Sequence, residues 1–213
     1  MNLTTDAPPQ IVFVDGIGGR RFFRGVLSRH VARRGHAFHH VGYRPSRESF
    51  HTIRARLGDR LGAIAANGPY VAIGYSFGGV LVRSALTTRP ELARPLRLVL
   101  VASPMHSLRM CRAVRNRSIF RWLTGDCGKL LASETGMQAV ALPDVPTTCI
   151  YGTRGYVGPF APAGRGPNDG MVAVAEIDPL RFDDVVTVHA SHPSMPSSRP
   201  VLAAIDARLS SVA

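Results

Sequence analysis

The chain has 213 residues, of which 45% are apolar, enough for one sizeable core, and α/β chains of this length usually form one domain, here taken as residues 1–213. Its formal charge of +12 would draw in polyanions, but Lys129 is the only lysine among the basic residues, and no zinc finger, recognition helix or aromatic-interleaved basic strand accompanies them, so nucleic acid is not an expected partner. No stretch approaches the roughly 20 apolar residues of a membrane span, and the odd, scattered set Cys111, Cys127 and Cys149 supports neither a disulfide framework nor a zinc site.

The polar opening MNLTTDAPPQ runs into the first strand without an apolar leader, which points to a cytoplasmic protein. QIVFV, residues 10–14, is a short continuous apolar run and reads as a strand buried on both faces, closed by the glycine loop DGIGG at 15–19. Phe22, Phe23, Val26, Leu27, His30 and Val31 then recur at helical spacing, and Gly35 stands where a left-handed C-cap belongs. Residues 37–43 form a weaker strand. From Ser46 the apolar positions Phe50, Ile53, Leu57, Leu61 and Ile64 keep the helical period until Asn67-Gly68.

YVAIG at 70–74 is another buried-type strand, and it passes through Tyr75-Ser76 into a helix that runs to Thr88. Strands are also expected at 96–102, 147–151 and 184–189, and a last helix starts near Ser197 or Ser198. Two stretches break the alternation. Residues 104–143 are too long for a simple connection and contain an arginine-rich run at 109–121, which suits a small lid or cap insertion. Residues 151–168, rich in glycine and proline, read as a surface loop. Strands alternating with helices imply a mostly parallel sheet covered on both faces, with functional loops at the carboxyl ends of the strands.

The chemistry-bearing residues fall at that edge. Gly74-Tyr75-Ser76-Phe77-Gly78 fits G-x-S-x-G, which has meaning only at a sharp strand-to-helix turn, and a strand and a helix flank it here. A serine hydroxyl needs a positioned base and a third group that orients the base. His192, in the loop past the last strand, is the preferred base; His189 is its rival, but a residue still in the strand would point along the sheet face. His30, His36, His39, His40, His51 and His106 read as surface or core-satisfied residues. Asp169, in the loop Asn168-Asp169-Gly170, lies between serine and histidine in chain order and follows a strand. Asp144 precedes its strand, and Asp178, Asp183 and Asp184 read as solvated carboxylates. The main-chain N–H groups of Phe77 and Ile17 are the candidate oxyanion donors. The glycine loop lacks the spacing of a phosphate-binding motif, since Arg21 stands where the third glycine belongs.

With these residues the chain resembles the small bacterial lipases and lipase-like esterases of the minimal α/β-hydrolase type. The resemblance touches V-D-G-I-G-G, G-Y-S-F-G-G, N-D-G-M-V and S-H-P-S-M-P, and the interval of 23 residues from Asp169 to His192 is similar to that family's spacing. It implies a six-stranded core, ester hydrolysis through an acyl-enzyme on Ser76, His192 and Asp169, and no metal or organic cofactor. Acyl transfer or thioester cleavage would use the same residues. A protein that only binds would have no physical reason to keep all of them. The chain departs from the family at Asp15, where histidine is common, so a carboxylate stands near the site that must hold negative charge. The basic insertion suits an anionic acyl substrate or peripheral contact with a membrane, though a solvated helix face is the plainer reading.

Overall fold

The computed structural model describes residues 8–19, 21–158 and 161–211, with only the backbone of residues 21–23. Most of the polar opening, the side chains of Phe22 and Phe23, and Pro159-Phe160 within the glycine and proline loop therefore lie outside the described residues.

Four of the apolar segments are nearly continuously buried: β1 (Gln10–Val14), β3 (Tyr70–Tyr75), β4 (Arg97–Val101) and β5 (Thr147–Gly152). Such strands need cover on both faces. The flanking strands β2 (Phe38–Val41) and β6 (Asp184–Val188) are half exposed, as edge positions require. They pair in the order β2-β1-β3-β4-β5-β6, and every pairing is parallel. Alternate residues feed two cores. Ile11, Phe13, Val71, Ile73 and Val99 pack against α1 (Arg21–Ala32) and α8 (Arg199–Leu209). Val12, Val14, Ala72, Leu98 and Leu100 pack against α2 (Phe50–Ala65) and α3 (Phe77–Thr88). Each of these side chains other than that of Ala72 contributes roughly 1.5 to 3 kcal/mol by leaving water, and the two faces together fix the sheet as the middle layer.

Strand order reverses between β1 and β3, whose Val14 and Gly74 are register partners. The glycine loop after β1 and the serine turn after β3 therefore emerge side by side, at the switch point where open α/β sheets form clefts.

The helix expected from Ser46 begins only at Phe50, because Ser49 caps it: its side chain accepts from the N–H of Thr52 at 3.1 Å. Gly35 does take the left-handed conformation, with φ 85°. The 104–143 segment joins β4 to β5 and contains α4 (Arg109–Val114), α5 (Ser118–Leu131) and α6 (Glu134–Gln138). α5 breaks at Gly125, whose φ of 53° no helix shares, and where a Cβ would run into the carbonyl of Pro45. Both ends of the insertion are held from below by Arg83 of α3. This fully buried guanidinium donates to the carbonyls of Pro104 at 2.8 Å and Val140 at 3.2 Å. A short helix α7 (Val174–Ile177) and two 3-10 turns, Pro179–Arg181 and His192–Ser197, complete the elements. No helix among the described residues is long and apolar enough to cross a membrane.

Candidate active site

Ser76 sits at the turn from β3 to α3 with φ 53° and ψ −124°, a conformation that L residues rarely adopt. Its N–H donates to Val101 at 2.8 Å, which ties the turn to β4. Glycines make the turn possible. A Cβ on Gly78 would collide with the carbonyl oxygen of Val14, and one on Gly74 with the Cα of Gly79, so strand, turn and helix close up only without side chains there.

Asp169 is fully buried in the loop after β5, where a bare carboxylate is costly unless bonded. Its Oδ1 accepts from the N–H groups of Met171 at 3.0 Å and Val172 at 2.8 Å. Its Oδ2 lies 2.6 Å from His192 Nδ1. The His192 N–H also donates to the Asp169 carbonyl at 2.8 Å, so ring and backbone are held together. The other ring nitrogen, Nε2, stands 3.0 Å from Ser76 Oγ. Three residues distant in sequence thus form one hydrogen-bonded line, with an imidazole nitrogen placed to take the serine's proton.

Tyr75 completes the mounting. Its hydroxyl donates to the main-chain carbonyl of His192 at 2.8 Å, and its ring stands 5.2 Å from the imidazole. Burial, reinforced by Asp169 and Asp15, pushes the phenol well above its usual value near 10, so it remains a neutral donor.

The rivals go elsewhere. His189 lies one residue past β6 rather than within it, and is exposed. His30 bonds Asp206 at 2.9 Å, His40 bonds Asp15 at 2.8 Å and His106 bonds Glu134 at 3.1 Å. Asp144 precedes β5. Two of the carboxylates expected to be solvated keep about 30% of their side-chain surface in water and also take protein partners. Asp184 accepts from Thr148 at 2.6 Å and from Arg208 at 2.5 Å, since the edge strand brings it between them. Asp178 pairs with His106 at 3.4 Å.

The loop after β1 lies against the serine: a Cβ on Gly16 would stand 2.9 Å from that of Ser76. Among the described residues, neither the Ile17 nor the Phe77 N–H has a protein acceptor. Phe77 opens α3, whose first-turn N–H groups carry the positive end of the helix dipole. Asp15 does not leave an open negative charge beside them. Its Oδ2 is 2.8 Å from both Arg24 Nη1 and His40 Nε2.

A cavity of about 320 Å³ opens over Ser76 and His192. The glycine loop lines it, and Leu108, Cys111, Phe120 and Leu131 of the insertion give it apolar lining. The insertion is fastened to the Asp169 loop by Glu176, whose carboxylate accepts from the N–H groups of Arg109 at 2.5 Å and Ala173 at 2.8 Å. Tyr75, Arg83 and Glu176 were not among the residues the sequence pointed to. No group of three or more His, Cys, Asp or Glu among the described residues could hold a metal ion.

No family model and no curated protein matches the sequence. Solved structures do match the fold. The mature form of the lipase BlEst2 from Bacillus licheniformis aligns with a TM-score of 0.75 at 18% identity, covering 96% of this chain and 93% of that one. The RedJ thioesterase of the prodiginine biosynthetic pathway in Streptomyces coelicolor gives 0.57 at 16% identity, covering 98% and 91%. Tomato methylketone synthase I gives 0.63 at 11% identity, covering 97% and 99%. The chain therefore has the α/β-hydrolase fold, in a form with one parallel six-stranded sheet. A fold that hosts differently named activities does not by itself choose among them.

Proposed function

We propose that the chain is a serine hydrolase that cleaves carboxylic esters through an acyl-enzyme intermediate. One observation carries the reading: Asp169, His192 and Ser76 stand in line at 2.6 Å and 3.0 Å, beside a cavity that Leu108, Cys111, Phe120 and Leu131 help to line.

Each residue then has one task. His192 Nε2 accepts the Ser76 proton as Oγ attacks the ester carbonyl. Asp169 holds the ring with Nδ1 protonated and offsets the charge that the imidazolium gains. The carbonyl oxygen becomes negative and is received by the N–H groups of Phe77 and Ile17, each such donor being worth roughly 3 to 4 kcal/mol. His192 returns the proton to the departing alkoxide, leaving an acyl group on Ser76. Water, activated by the same imidazole, releases the acid. The cavity of about 320 Å³ lies at the small end of ligand sites, about 300 to 1,000 Å³, which favours short- to medium-chain acyl groups lying against the apolar lining.

Hydrolysis of p-nitrophenyl butyrate tests the reading. Wild type should turn it over, with Ser76→Ala and His192→Ala reduced by roughly four to six orders of magnitude in kcat. Equal turnover by wild type and Ser76→Ala would overturn it.

A further inference from the structure

Helix α5 leaves in water a face that helices ordinarily bury. Phe120, Thr124 and Leu131 turn inward and line the Ser76 cavity. Ile119, Trp122 and Leu123, spaced i, i+3 and i+4, form an adjoining stripe, and they are 69%, 71% and 50% exposed. Single exposed apolar residues need no explanation. Three large ones side by side, including the chain's only tryptophan, mark an interaction surface.

The charge beside this stripe narrows the choice of partner. Arg109, Arg112, Arg115, Arg117 and Arg121 fall within residues 109–121, which contain no acidic residue. Arg112 has Glu134 at 3.9 Å; among the described residues Arg115, Arg117 and Arg121 enter no ion pair, and all three are exposed. A second copy of a chain with charge +12 would set the same arginines against each other across a two-fold axis. Nucleic acid would satisfy the arginines but leave Ile119 and Leu123 in water. An anionic bilayer satisfies both halves: arginines at the lipid phosphates, tryptophan at the interface and aliphatic side chains at the acyl boundary.

We infer that the α4–α5 face docks on an anionic lipid bilayer with Trp122 as its anchor. Because the inner side of the same helix walls the cavity, docking sets the cavity beside the lipid. That the lipid supplies the acyl substrate rests on the ester-hydrolase reading, but the docking does not.

Trp122 is its own reporter, since no other indole contributes to the emission. Full-length protein is titrated with vesicles of phosphatidylcholine, with and without phosphatidylglycerol, and partition is measured in parallel by sedimentation. Emission should shift to shorter wavelength with the anionic vesicles only. Each arginine is worth about 1 kcal/mol at such a surface, about fivefold in partition, so the triple variant Arg115→Gln, Arg117→Gln, Arg121→Gln should lose on the order of 100-fold. Trp122→Ala should sediment with anionic vesicles on the order of tenfold less well. Ser76→Ala should bind as wild type does, so failed docking and failed hydrolysis are told apart. Absence of shift and sedimentation, undiminished binding by the triple variant, or the same shift with a single-stranded oligonucleotide or on raising protein concentration without vesicles would each overturn the inference.

Discussion

Ser76 holds a backbone conformation that costs an L residue of the order of 1 to 3 kcal/mol, and the surrounding contacts enforce it: its N–H to Val101 on one side and the glycines packed against β1 on the other. The partial exposure of the Ser76 hydroxyl is thus obtained at the expense of stability. Ser76→Gly should unfold with about 1 kcal/mol more free energy than Ser76→Ala, because only glycine relieves the strain. Equal stability of the two in urea titrations would contradict that. Tyr75 acts one step back, through His192. Tyr75→Phe keeps the ring but removes the donor to the His192 carbonyl at 2.8 Å, a loss of about 1 to 3 kcal/mol in stability for a buried acceptor. It should lower kcat on the order of tenfold with KM little changed, whereas a merely structural tyrosine would leave kcat alone.

At the level of elements, the insertion is secured where its chain enters and leaves. Arg83→Ala would leave the Pro104 and Val140 carbonyls without their donor and open a cavity, so it should cost about 3 kcal/mol or more; limited proteolysis should then cut within 104–143 first. Glu134 of α6 ties the insertion's start to its end. Hydrogen bonds from Ser107, helped by His106, hold its carboxyl down from the usual 4.5 to about 2. A carboxyl depressed in the folded state stabilises it above its ordinary value, and that contribution fades as pH falls from about 4.5 towards 2. Wild type should therefore lose more stability than Glu134→Gln between pH 5 and pH 3, modestly because the side chain is 42% exposed. Parallel losses would contradict the sign. The main strands and the serine turn were legible because buried parallel strands show as unbroken apolar runs. Asp169 and His192 were legible because both lie in loops past strands. Tyr75 was not, because its partner is a main-chain carbonyl 117 positions away, and Arg83 was not, because two of its three acceptors are main-chain carbonyls 21 and 57 positions off, the third being the Met105 sulfur. Main-chain acceptors leave no residue pattern. The start of α2 was placed too early because Ser46 to Ser49 carry no apolar position to mark it, while the Ser49 cap sets the boundary at Phe50.

Across the whole molecule, the reversal of strand order between β1 and β3 does the assembling. It sets the 15–19 loop against Ser76, while the sequential order β3-β4-β5-β6 carries Asp169 and His192 to the same edge. The carboxylate of Asp15, which the sequence placed near the candidate oxyanion donors, is matched by Arg24 and His40 reaching over from α1 and β2, a pairing visible only once the sheet is formed. Alignment of Asp169 and His192 on the Ser76 hydroxyl is the claim on which the proposed chemistry depends. The most direct test is reaction with a fluorophosphonate followed by intact mass and peptide mapping, since the reagent marks an activated serine without regard to the natural substrate. Wild type should gain a single adduct mapped to Ser76, His192→Ala should react far more slowly, and Ser76→Ala should gain none; the same adduct on Ser76→Ala, or an unmodified Ser76 in wild type, would contradict it.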